Sequence, residues 1–159
     1  MIRHLKIASA LFIGLIGLLF FVGNVFNAVT AHAAVSMVIS GVEQPYYRMI
    51  GPGLHAPWIA TVALITIMAG ELSITVFGLS GAYRMFRMRC GSAESFHAAK
   101  SAAIGAGAIG MLVWYGLFIV IGEGYFHMWS PSMLQSVEGA FRYGTVCVAL
   151  ALFIASRYD

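Results

Sequence analysis

Two ionisable side chains stand inside otherwise apolar stretches, and they set the chemical question. Glu71 is the one charged residue between Pro57 and Tyr83. An ionised carboxylate within lipid is expensive unless paired. Glu71 is therefore expected to be neutral, or hydrogen-bonded to a hydroxyl or a ring nitrogen; Thr66, Ser73 and Thr75 lie close by in sequence. An acid so placed can relay a proton or bind a ligand. The plainer role is a hydrogen bond that pins one helix to another.

Arg142 is the second intramembrane polar residue, with Glu138 one turn before it in the favourable acid-then-base order. Glu123 is expected at a similar depth. These three form a candidate ion-pair group at the outer rim of a helix bundle; the alternative is a basic site for a lipid headgroup or a partner's acid. Pairing of Arg142 with Glu71 is not expected, because their depths differ.

His32, His55 and His127 fall on the same side as Met37, Met49, Met128 and Met133. Imidazole and thioether together can hold copper. No two of these residues have a tight ligand spacing, so they are weak candidates and no metal is assigned. No histidine sits deep in a span, which argues against a haem held by two histidines. His4 and His97 read as ordinary residues of the opposite side. A Gly-rich phosphate loop, a nucleophile elbow and paired catalytic carboxylates are all missing from the sequence, so no catalytic residue is assigned and no enzyme is expected.

The elements that must carry these residues follow from composition. Of 159 residues, 60% are hydrophobic and 9% charged, against about a quarter charged in soluble domains. So little charge cannot cover a water-facing surface, and lipid is the alternative solvent. A spanning helix needs about 20 apolar residues. Four fit, at about residues 7–29, 57–83, 99–122 and 135–156, in a single transmembrane domain covering 1–159. The fold class is an all-α membrane protein, a four-helix transmembrane bundle. Val35, Val38, Ile39 and Val42 repeat at helical spacing with Ser36 and Ser40 opposite, which adds a short interfacial helix between the first and second spans. Pro45 should end it, with Tyr46 and Tyr47 at headgroup level.

Local signals punctuate the spans. Pro57 suits a first helical turn. Ser92 suits the N-cap of the third helix with Glu94 in its first turn, and Ser130-Pro131 suits the start of the fourth. Ala102, Ala106 and Gly110 recur at every fourth position, with Ala103 and Gly107 beside them. Small residues so spaced let helix backbones approach closely in lipid, here against a neighbour in the chain or in a partner. Arg3 and Lys6, the apolar run after them and Ala31-His32-Ala33 also resemble a cleavable leader, but the run is long for one and a retained helix is expected. Cys90 and Cys147 are placed too far apart to bridge.

Basic residues give the orientation. Arg3, Lys6, Arg84, Arg87, Arg89, Lys100 and Arg157 gather on one side, Arg48 and Arg142 on the other. By the positive-inside rule both termini are cytoplasmic. No basic stripe with interleaved aromatics suggests nucleic acid.

Several pieces together resemble a known family. They are Phe26-Asn27, Leu54-His55, Glu71, the segment Gly122 to Trp129, and Phe141-Arg142, in this order and spacing. The chain is similar over most of its length to the bacterial predicted small integral membrane proteins grouped as domain of unknown function 2165. That resemblance implies four spans in a bacterial inner membrane and no particular activity. The first outer loop departs from the pattern: small apolar residues replace an acidic–aromatic pair, an asparagine and a histidine, as expected of a diverged member built into a larger assembly.

These readings lead to a non-catalytic accessory or structural subunit packed against a larger membrane complex, of respiratory or photosynthetic type. Membrane lipids and membrane protein subunits are its expected partners, with bound lipid and no cofactor. The alternatives are a small proton-coupled transporter or carrier using Glu71, and a protein that handles quinone, haem or copper.

Overall fold

A computed structural model describes residues 1–41, 51–129 and 134–158. The expectations that rest on Val42, Pro45, Tyr46, Tyr47, Arg48, Met49, Ser130, Pro131 and Met133 fall outside these residues.

All regular elements among the described residues are helical. The first span is α1 (Ile2–Phe26). It stops because Asn27 leaves helical geometry and turns its side chain back: Asn27 Nδ2 donates to the Gly23 carbonyl at 2.9 Å. A second helix, α2 (Ala28–Ser40), begins on the next residue. It is longer than the sequence pattern suggested and starts earlier, because Asn27 permits an immediate restart. Gly41 ends it in the left-handed region, at φ 69°, where glycine carries no Cβ penalty.

The second span, α3 (Pro57–Arg87), opens on a first-turn proline and closes with Arg84 and Arg87 in its last turn, where cations meet the negative end of the helix dipole. At 1.5 Å per residue its 31 residues measure about 46 Å, well beyond a hydrocarbon core of about 30 Å.

The third span, Ala93–Glu123, was expected as one plain α-helix. It has three parts. In α4 (Ala93–Ala99) Ser92 Oγ accepts from the Ser95 amide at 3.1 Å, so the expected N-cap is in place. Then α5 (Ser101–Met111) follows after Lys100, and a π-helical segment (Leu112–Glu123) completes the span. Bonds five residues apart continue past its end, from the Gly124 amide to Ile119 at 2.9 Å and from Phe126 to Ile121 at 3.1 Å. The fourth span, α6 (Leu134–Ala155), closes the bundle.

The spans form a ring. α1 packs along α3, α3 along α5, α5 and the π-helical segment along α6, and α6 returns to α1. Two contacts explain how the helices come so close. At the α1–α3 crossing, a Cβ on Gly78 would lie 2.6 Å from the backbone of Gly14. On the face with Ala102, Ala106 and Gly110, all three buried, a Cβ on Gly107 would strike Ala151 of α6. The small-residue face thus meets helices of its own chain.

One end of the ring is basic. Arg3 Nη1 donates to the carbonyls of Arg89 at 3.0 Å and Gly91 at 2.7 Å. Lys6 and Lys100 are both fully buried, and both ammonium groups donate to the Ser156 carbonyl, at 2.7 and 2.9 Å. Two cations therefore meet the negative end of α6. Replacing both lysines with methionine should fray the last turn of α6. Hydrogen bonds to charged groups contribute about 1.5–3 kcal/mol each, so exchange of the Ser156 amide, which bonds Leu152 and Phe153, should rise clearly; unchanged protection there would refute the clamp. Cys90 is exposed, Cys147 buried, and both are free thiols.

Candidate functional site

Away from the lysine end, the helices enclose a chamber of about 640 Å³, lined from every span and from α2. Glu71 sits in its wall. It lies 14 residues into α3, about 21 Å from the first residue of that helix, and is 1% exposed. Its partner is Asn24 of α1, whose Nδ2 donates to Oε1 and to Oε2, each at 2.9 Å. The expected hydroxyl or imidazole partner is not used. Thr75 bonds the Glu71 carbonyl oxygen at 2.9 Å, and Thr66 and Ser73 bond carbonyls of their own helix. Short hydroxyl side chains on a helix reach the carbonyl one turn back more readily than a carboxyl, so the partner comes from the facing helix.

Asn24 escaped the sequence reading because it lies in a run that otherwise looks uniformly apolar. A signal was present: Gly17 and Asn24 are seven residues apart, hence on one helix face, and that face presses on α3. A Cβ on Gly17 would stand 2.7 Å from the Glu71 carbonyl oxygen. The glycine brings the backbones together, and the asparagine further along meets the acid.

Aromatic rings form another wall. Phe20 meets Tyr143 edge-on at 4.7 Å and Trp114 at 5.6 Å, and Trp114 lies 6.1 Å from Tyr143. Trp114 and Phe118 come from the π-helical segment, a rare geometry that tends to occur at functional sites. Tyr115 ties that segment to α6 through a 2.7 Å bond between its hydroxyl and Thr145 Oγ1.

Arg142 and Glu138 also line the chamber. Their ion pair is long, at 3.9 Å, with side chains 71% and 60% exposed, and such pairs contribute about 0–1 kcal/mol in water. Glu123 shares a neighbouring recess with both residues but makes no ion pair among the described residues. Arg142 and Glu71 reach one chamber although their depths differ, and they do not pair with each other.

Beside the chamber lies an apolar cavity of about 330 Å³ between α2, α3 and the π-helical segment. The two share Ala34, Val35, Ile67, Phe118 and Ser136 as walls. His32, His55 and Met37 line a separate recess of about 460 Å³. There His32 Nε2 stands 3.1 Å from Thr61 Oγ1, whose own proton goes to the Pro57 carbonyl. His127 is apart from them, buried, with φ 54° and its ring beside Trp129. Among the described residues no three histidine, cysteine or carboxylate side chains gather closely enough to hold a metal.

Four helices long and apolar enough to cross a membrane, joined in this order, agree with the comparison of the sequence with family models. Residues 2–157 match the model described as predicted small integral membrane protein, domain of unknown function 2165. The chain belongs to this family. No curated protein and no solved structure matches it. Within this family member the expected architecture stands: an integral membrane protein with several spanning helices, all-α, with a short helix between the first two spans.

Proposed function

We propose that this protein is a non-catalytic subunit of a larger membrane complex, of respiratory or photosynthetic type, and that its working part is a chamber that binds a small molecule. It sits in a bacterial inner membrane with both termini in the cytoplasm. The observation that carries the reading is the pairing of buried Glu71 with half-buried Asn24 in the wall of a roomy chamber. A polar pair that served only to join α1 to α3 would need no cavity beside it. Toward the lysine end α1 and α3 are in backbone contact at Gly14 and Gly78. A site closed on that side holds a ligand rather than passing it through. The basic end, rich in arginine and lysine, supports the orientation.

Gentle extraction from native membranes tests both halves. A stoichiometric protein partner and a bound small molecule other than phospholipid are the expected result by native mass spectrometry. Protein recovered alone, carrying phospholipid only, would overturn the proposal. Glu71 itself favours a second reading, a proton-coupled carrier. That reading requires Glu71→Gln to abolish a proton-linked flux in proteoliposomes while insertion is unchanged, and an unaltered flux removes it.

A further inference from the structure

We infer that the chamber and the apolar cavity beside it form one site for an isoprenoid quinone, with the ring in the chamber and the tail in the apolar cavity. The inference rests on the chamber being a binding site and names what it binds. Three observations point to this class. First, the chamber wall is aromatic: Phe20, Trp114 and Tyr143 cluster within 4.7–6.1 Å of one another. Such a wall suits a flat ring, which packs against aromatic faces and edges. Second, the polar groups are sparse and of both kinds. Asn24 gives its Nδ2 to Glu71, and its Oδ1 has no partner among the described residues. The Tyr143 hydroxyl and the Trp114 indole N–H have none there either. A quinone carbonyl accepts from Tyr143 or Trp114, and a quinol hydroxyl donates to Asn24 Oδ1.

Third, the chamber and the apolar cavity share a wall that is apolar except for Ser136, and the far walls of the cavity include Val38, Ile39, Leu117 and Ile121. A branched hydrocarbon tail fits that lining. A phosphate headgroup fits it poorly. Among the described residues the only cation lining the chamber is Arg142, which is exposed and already faces Glu138, and a phosphate would sit close to the Glu71 carboxyl. Binding alone is assigned here, and both redox forms are accommodated.

The test follows Trp114 fluorescence in purified, full-length protein in lipid nanodiscs, with Trp58→Phe and Trp129→Phe so that one indole reports. The probe is a benzoquinone with a decyl tail. Saturable quenching is expected, about tenfold weaker affinity in Tyr143→Phe combined with Asn24→Leu. Ala34→Phe, which fills the shared wall, should weaken the tailed probe more than a tailless benzoquinone. Quenching that rises linearly and equally in all variants is partitioning into lipid and overturns the inference. So does saturable quenching indifferent to these substitutions. A folded Ala34→Phe protein keeps the test decisive if the Asn24 variant fails to fold. If native protein carries another small molecule that the quinone does not displace, the quinone assignment fails while the chamber stands as a binding site. If it carries only phospholipid, both fail.

Discussion

Replacing Asn24 with leucine is expected to destabilise the bundle by about 1–3 kcal/mol, because a buried polar group that loses its partner bears its full desolvation cost. The carboxyl of Glu71 is 1% exposed and has its two oxygens on the one Asn24 amide nitrogen. Glu71→Leu alone should cost less, since Asn24 is only half-buried and can turn toward the chamber. The double variant should recover most of the loss, because replacing both partners by apolar groups of similar shape is often near neutral. Thermal unfolding of the four proteins in one detergent gives the cycle. A double variant as unstable as the sum of its parents would mean that the two side chains do not act as a pair.

The second large effect is at the α1–α3 crossing. Gly78→Leu should destabilise by about 3 kcal/mol, the upper end for overpacking. The added Cβ would meet Gly14 Cα and N at 2.6 Å and the Ala10 carbonyl at 3.3 Å. Backbone atoms of a packed helix cannot swing aside as a side chain can. Leucine's better helix propensity, worth about 1 kcal/mol over glycine, offsets only part of that. Gly105 is the control: a Cβ there meets nothing within 4 Å, so Gly105→Leu should be neutral or slightly stabilising. Equal melting temperatures for the two leucine variants would remove the close crossing from the description of this fold.

Much of this architecture was legible because membrane spans announce themselves through length and apolarity. Pro57 and Ser92 marked helix starts through chemistry that needs no tertiary context. The π-helical segment was not legible. Leu112 to Glu123 has no residue that forbids an α-helix, and its register follows from how Trp114, Tyr115 and Phe118 pack on α1 and α6. The site was half legible. Glu71 stood out as a lone charge, whereas Asn24 carries none and was hidden by the apolar residues around it. The hydroxyls near Glu71 are close in sequence, yet each turns back onto a carbonyl of its own helix. The meeting of Arg142 and Glu71 in one chamber depends on the shape of a cavity, which depth along a helix does not specify.

The shared acceptor at the basic end also links spans that lie far apart in the sequence. Lys6 and Ser156 are 150 residues apart, so a side chain of the first span depends on a carbonyl at the end of the fourth. Without α6, the ammonium groups of Lys6 and Lys100 lose that shared acceptor. The carbonyl just past α6 receives both cations together. Closing the ring at this end therefore joins the first, third and fourth spans through one carbonyl oxygen.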